Sequence, residues 1–487
     1  MSEPILVPRM TSSEPASVRS AGVLVDARDY YRALCKTLLA AKRYVLIAGW
    51  QFDSKVRLLR GLDAARAAHP VELLPFLEHL CERRPHLSIY LLAWDYSAVF
   101  ALEREWMQRL IFEWSTPRGI HFHFDAEHAA GASHHEKMVV ADGELAFVGG
   151  LDLARSRWDD RTHDPANALR VERGVPQKPY HETMAFCTGE AARALTEHFS
   201  ERWLLATGEP LALPAAPSER RSGPKFPGAL PIRCRELAYS RTRAETPRAP
   251  QVSQIKKLYE RAIAVSERLI YVETQYFTAR SLHDALVERM RDRARPPPEI
   301  VLLLPRGADT PKENLVIGPA QDEVVSSLLE EAQRTGTRFR AYYTGAPGPD
   351  GELVPTFIHS KLVVVDDRFL SIGSANFTNR SLALDTELNL CWECDDSALP
   401  LGRSIGALRA SLLAEHAGAA DPRPFRPLAG LVDRLDALVS SGESKLHHRT
   451  VPRNGSLPER LFHLERVFDP DRPLDDLDFE TLFERSA

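Results

Sequence analysis

Two short runs of this 487-residue chain carry the same titratable side chains at the same intervals. The run "SHHEKMVVADGELAFVGG" (133–150) presents His135, Lys137 and Asp142, and "FIHSKLVVVDDRFLSIGSAN" (357–376) presents His359, Lys361 and Asp366. An imidazole can attack an electrophile or move a proton near neutral pH, and an ammonium group beside it makes sense where an anion sits. A histidine, a lysine and an aspartate at these separations should arise by chance about 0.06 times in a chain of this length, so two copies point away from surface decoration.

Both runs are rich in β-branched residues and end in the turn-prone pairs "DG" and "DD", the pattern of a strand leading into a hairpin. Residues two apart share a strand face, so each histidine points the same way as its lysine. Asp142 and Asp366 stand seven residues beyond their histidines. That odd separation sets them on the other face, where they are expected to satisfy donors at the turn while the His-Lys pairs carry the chemistry.

His135 and His359 lie 224 residues apart, and the same offset carries Gln51 of "RYVLIAGWQFD" onto Gln275 of "RLIYVETQYFT". A shared offset implies a duplicated domain. In each half an apolar strand (44–52, 268–277), an amphipathic helix ("LLPFLEHLCERR", "SLHDALVERMRDR") and a second apolar strand ("LSIYLLAW", "EIVLLLP") precede a variable segment and the His-Lys hairpin. This alternation predicts an α/β fold with two α/β sandwich domains related by pseudo-twofold symmetry. Residues 1–22 read as a flexible N-terminus, 23–204 as the first domain and 205–252, rich in proline and charge, as a linker. Residues 253–417 read as the second domain and 418–487 as a helical, acidic C-terminal extension.

A net charge of −5 disfavours a nucleic-acid partner, although a local basic patch fits within that total. Six scattered cysteines suit a reducing, cytoplasmic compartment, and the isolated pair Cys391 and Cys394 reads as two structural thiols. No secretory signal and no stretch of about 20 apolar residues is present in the sequence, so contact with lipid is expected to be peripheral, from the water side. The histidines of "HFHFDAEH" (121–128) lack a spacing-fixed acidic or cysteine ligand, so no metal and no cofactor is expected there.

The two runs, with Gly373, Ser374 and Asn376 closing the second, resemble the HxKxxxxDxxxxxxGSxN signature of the phospholipase D superfamily over roughly 40–400. "GGLDLARSRWDD", with Gly149 and Gly150, resembles the segment that replaces GSxN after the first motif in eukaryotic-type members. "YVETQYF" (271–277) is similar to the I-E-N-Q-Y-F segment before the second, with Thr274 in place of asparagine. The resemblance implies one metal-free site between two domains, where a phosphohistidine forms and is then resolved. It implies His135 as nucleophile, His359 as acid/base, Lys137, Lys361 and Asn376 as ligands of the phosphoryl oxygens, and orienting acids at Glu182 for the first half and Glu387 for the second.

The implied activity is a phospholipase D acting on phospholipid with water or an alcohol as acceptor, in a monomeric protein. A phosphatidyltransferase of cardiolipin synthase type, a nuclease and a pseudoenzyme that only binds anionic lipid remain alternatives. The intact His-Lys pairs argue against the last. Segments 306–323 and 342–355 are candidates for the pocket rim or for membrane-facing loops.

Overall fold

Runs such as Tyr44–Gly49 and Leu269–Glu273 are buried along their whole length because both faces of their sheets are covered, which is why they read as continuous apolar stretches. The computed structural model describes residues 3–95, 119–214, 223–450 and 469–473. In the first half seven strands lie side by side in the order Ala16–Val25, Thr183–Gly189, Leu145–Gly149, Lys137–Ala141, Tyr44–Gly49, Ser88–Trp94 and Ile120–Asp125. The first four joins are antiparallel and the last two parallel.

The second half repeats this order and these directions with Glu236–Arg243, Glu387–Glu393, Phe369–Gly373, Leu362–Val365, Leu269–Glu273, Glu299–Leu303 and Phe339–Pro347. Ala16 and Ser17 pair with Leu237 and Glu236, joining the two sheets edge to edge. The protein is therefore an α/β fold made of two like halves.

Side-chain alternation divides the core into layers. Tyr44, Leu46 and Ala48 face Leu269, Tyr271, Leu362 and Val364 in a central core shared by both halves, into which the helices Glu190–Thr207 and Pro400–Ala417 also pack. Val45 and Ile47 turn outward to the helices Asp26–Ala40 and Leu73–Arg83, while Ile270 and Val272 turn outward to Gln254–Ala264 and Arg280–Arg291. The sheets thus press face to face and hold the His-Lys runs at the seam.

Several expected boundaries differ from the structure. Residues 16–22, read as flexible, belong to the strand Ala16–Val25, whose apolar second half is buried. Residues 230–243, read as linker, contain Leu230–Ile232 and Glu236–Arg243, the latter occupying in the second half the place of Ala16–Val25 in the first. Prolines and charges masked these edge strands. Beyond 418 the chain adds the helix Leu431–Ser441 but also the strand Leu446–His448, paired to Phe339–Pro347, so the extension is not purely helical. Its stretches 451–468 and 474–487 lie outside the described residues. Residues 311–323, read as a loop, open a helix that runs Pro311–Thr335.

Candidate active site

The two histidines stand just ahead of the strands Lys137–Ala141 and Leu362–Val365, where the backbone of each half hydrogen-bonds to the other. His135 N–H donates to the Thr386 carbonyl at 2.9 Å, and Thr386 N–H donates to the Ser133 carbonyl at 2.8 Å. Across the seam Phe357–Ile358 pairs in parallel with Tyr180–His181, and His359 N–H donates to the His181 carbonyl at 2.9 Å. These matched crossings bring the residues after Thr386 and His181 against the opposite half's imidazole.

The acids are consequently exchanged relative to expectation. Glu387, assigned from the sequence to the second half's histidine, holds Nδ1 of His135 with both carboxylate oxygens at 3.1 Å. Glu182, assigned to the first half's, lies 2.5 Å from Nδ1 of His359. Linear spacing does not carry this information, because the pairing is set by the interface between the halves. Engaging Nδ1 leaves Nε2 of both rings without a protein partner among the described residues, the nitrogen a reaction would use.

Lys137 Nζ donates to the His135 carbonyl at 2.7 Å and lies 3.3 Å from an Asp152 oxygen. Lys361 Nζ donates to Gln275 Oε1 at 3.1 Å and to the His359 carbonyl, and lies 3.0 Å from Nδ1 of His359. Asp152 went unrecognised in the sequence, although the 224-residue offset sets it opposite Asn376. Asn376 is buried, and its side-chain oxygen has no hydrogen-bond partner among the described residues.

The electrostatics of this region show that the two pairs share one environment. Burial, then the positive charges of Lys361, Arg157, Lys137 and His135, hold the proton affinity of His359 well below that of an ordinary histidine. Burial also lowers Lys361 to about 7, with Lys137 and Arg157 adding to the effect against the pull of Glu182 and Glu387. Glu182 moves the other way, pushed up by burial to about 8 in spite of Lys361. Two basic groups depressed by burial and, after it, by neighbouring positive charge mark a site short of an anion. Arg157, another residue the sequence reading missed, lies over the Tyr180 ring, which in turn is 5.2 Å from the ring of His359.

The remaining signature residues brace this arrangement. Asp142 occupies the left-handed region at φ 54° and accepts backbone N–H donors from Lys42, Arg43 and Tyr44 at 2.8, 2.8 and 3.1 Å. Asp366, at φ 56°, does the same for Glu267, Arg268 and Leu269 at 2.8, 2.7 and 2.8 Å. Ser374 Oγ donates to Glu387 at 2.5 Å and fixes that acid. Gly149 presses on Thr183 and Met184, and a Cβ on Gly150 would sit 2.5 Å from Glu182 Oε2. Gly373 likewise has no room for a side chain against Asn389 and the Leu388 carbonyl. Thr274 accepts from Phe377 N–H at 3.3 Å and donates to the Tyr276 carbonyl at 2.9 Å, tying its segment to the GSAN loop.

Two groups of donor atoms among the described residues are tight enough to hold a cation: Asp26, His163, His181 and Glu415, and His181, Glu273 and His416. They form one buried network just behind the site, with His181 bridging Glu415 and Glu273 at 3.0 Å each. Burial alone would lower His163, but Asp26, Asp159 and Glu415 raise it to about 10, so imidazolium already balances these carboxylates. No metal role is assigned to them. His121 stacks on Tyr90 and His123 lies against Trp203, apart from these groups. Cys391 contacts Ser240 and Ser371, whereas Cys394 donates to the carbonyls of Arg368 and Asp396; both thiols are free.

Two like α/β halves, each lending a His-Lys pair and an acid to one seam, define a class of duplicated α/β folds with a composite site. A family model described as "Cardiolipin synthase, PLD-like domain" matches residues 259–404. Phospholipase D1 of Saccharomyces cerevisiae is 23% identical over 87% of this chain and 30% of that protein. Phospholipase D2 of Bos taurus is 23% identical over 74% of the chain and 47% of the relative, and cardiolipin synthase A of Pseudomonas putida 29% over 53% and 43%. The chain thus spans a third to a half of the length of these relatives. The crystal structure of phosphatidylserine synthase from Haemophilus influenzae Rd KW20 shares the fold, with a TM-score of 0.55 at 13% identity over 88% of this chain and 97% of that one. These matches support a place for the chain in the phospholipase D superfamily.

Proposed function

We propose that this protein is a phospholipase D-type enzyme that transfers the phosphatidyl group of a phospholipid to water or an alcohol through a phosphohistidine. Nε2 of His135 attacks phosphorus, forming a P–N bond as the P–O bond to the head group breaks. His359 gives the departing alkoxide its proton, then removes one from the incoming water or alcohol, whose oxygen displaces His135 from phosphorus. Lys137, Lys361 and the amide of Asn376 hold the phosphoryl oxygens. Glu387 and Glu182 fix the tautomers and rotations of His135 and His359.

The observation that carries this reading is the meeting of both His-Lys pairs and their acids at one seam, where burial, then the charges of Lys361, Arg157 and Lys137, depresses His359, and burial, then Lys137 and Arg157, depresses Lys361. A phosphodiester anion relieves that repulsion and returns a proton to His359, so the acid is charged when substrate arrives. Among the described residues no helix is long and apolar enough to cross a membrane, which suits work from the water side.

The purified protein should release free head group from phospholipid vesicles and, with ethanol present, form phosphatidylethanol. Absence of both from a panel of choline, ethanolamine, serine and glycerol lipids would overturn the assignment. The family model and the Pseudomonas putida relative favour one second reading, transfer to phosphatidylglycerol. Formation of cardiolipin with release of glycerol in the same panel would select it.

A further inference from the structure

A depression of about 450 Å³ lies outside the candidate active site and is lined by five cations, Lys55, Arg57, Arg60, Arg155 and Arg173, against the carboxylates of Glu72 and Glu172. Glu172 is taken by Arg60, and Asp53 holds Arg155 at 2.7 Å. Lys55, Arg57 and Arg173 are exposed and have no acidic partner among the described residues. Such a concentration of unpaired positive charge in a chain of net charge −5 calls for a counter-charge from outside.

Aliphatic side chains surround these cations. Six large apolar residues are exposed among the described residues, and three of them belong here: Leu62 at 72%, Leu169 at 42% and Val175 at 59%. The backbone of Gly61 packs on the Leu169 side chain, bringing Leu62 beside it. Arg173 and Gly174, at φ 50° and 81°, turn the hairpin between Val171–Glu172 and Val175–Pro176 and project Arg173 and Val175 at its tip. Buried Arg60 anchors this platform by donating to the carbonyls of Leu169 and Val171 at 2.8 Å each.

We infer that this surface docks the protein on a bilayer containing anionic phospholipid, with Lys55, Arg57 and Arg173 at the head groups and Leu62, Leu169 and Val175 at the acyl boundary. Cations ringed by aliphatic side chains are the chemistry of an interfacial contact. A groove for single-stranded nucleic acid would instead pair its charge with aromatic platforms, and none lines this depression. Its position supports the same partner. The loop that carries Arg155 begins near Asp152, the partner of Lys137, and continues to Arg157 beside His359, so one loop connects the docking face to the site.

Flotation of the full-length protein with vesicles of phosphatidylcholine alone, and with phosphatidylglycerol added, tests this without requiring turnover. Binding is therefore read separately from the enzymatic proposal. The protein is expected to float with the anionic vesicles and hardly with the neutral ones. Lys55→Gln, Arg57→Gln and Arg173→Gln together should weaken partition about a hundredfold, since each basic residue near an anionic leaflet contributes about fivefold. Leu62→Ser with Val175→Ser should weaken it about tenfold on the same vesicles, because acyl contact is lost while charge is kept. All five side chains are exposed, and unchanged thermal melting checks that the variants fold. Equal flotation with both vesicle types, full binding by the triple variant, or displacement by millimolar inorganic phosphate with no effect of the serine pair would overturn the inference. The last outcome would mark a site for soluble anions, and preferential retention on nucleic acid would likewise refute a lipid surface.

Discussion

Sulfate, which stays fully ionised, should draw protons into this protein when it binds between Lys137 and Lys361 at pH 8. Burial and neighbouring cations hold Lys361 at about 7, so about 0.9 of it is neutral at that pH. An anion in contact returns it toward the ordinary lysine value of 10.5, a recovery equivalent to about 5 kcal/mol of interaction between the charged lysine and its surroundings. Glu182, raised to about 8, and His359, held low, respond in the same direction, since an added negative charge favours the protonated form of each. Net uptake should be about one to two protons per sulfate at pH 8, and the Lys361 share should drop below about a tenth at pH 6, where that group is already charged. Calorimetric titration in two buffers of different ionisation enthalpy gives the proton count directly. Lys361→Met should remove about 0.9 of a proton from the uptake at pH 8. Zero uptake, proton release, or the same count in the methionine variant would refute the idea that the site is cation-rich and short of an anion.

Four further outcomes follow from the bracing residues. Glu387→Gln keeps the shape but removes the charge that holds Nδ1 of His135 and the hydroxyl of Ser374, so kcat for head-group release should fall about a thousandfold or more with little change in KM. Arg202 pairs with Glu136 and, at 2.7 Å, with Asp125, all three buried; Arg202→Met should lower stability in urea by about 3–5 kcal/mol. Burial alone would raise both acids, but Arg202 with His198 and His134 holds them well below the usual carboxylate range, so their contribution is complete above about pH 5 and is lost as pH falls from there. Thermal melts between pH 7 and 3 should show that decline in the native protein. Gly150→Ala pushes a methyl group against Glu182, and the overpacking should cost about 1–3 kcal/mol in urea melts while slowing turnover through displacement of His359.

The paired histidines and lysines of the candidate site were legible in the sequence because they recur at one offset, and so were the parallel strands flanking them, whose double-sided burial leaves unbroken apolar runs. Glu182 and Glu387 were recognisable as residues, but their partners were not. Which imidazole an acid meets depends on Ser133, Thr386 and His181 crossing between halves, a contact that no local period encodes. The edge strand Glu236–Arg243 was hidden for the opposite reason: polar and charged residues alternate along it, and "TRAETPRAP" after it reads as connector. Asp152 was masked by its change of type, an acid standing where the other half has Asn376. The basic depression is assembled from 55–61, 155 and 168–174, and neither local composition nor the net charge of the chain reveals it.

If both halves build a single phosphodiester site, rapid acid-free quenching and peptide mass mapping during turnover of a phospholipid substrate should find at most one phosphatidyl group per chain, carried by His135 and absent from His135→Ala. Label on both histidines of one chain, or turnover that continues with His135 removed, would contradict it.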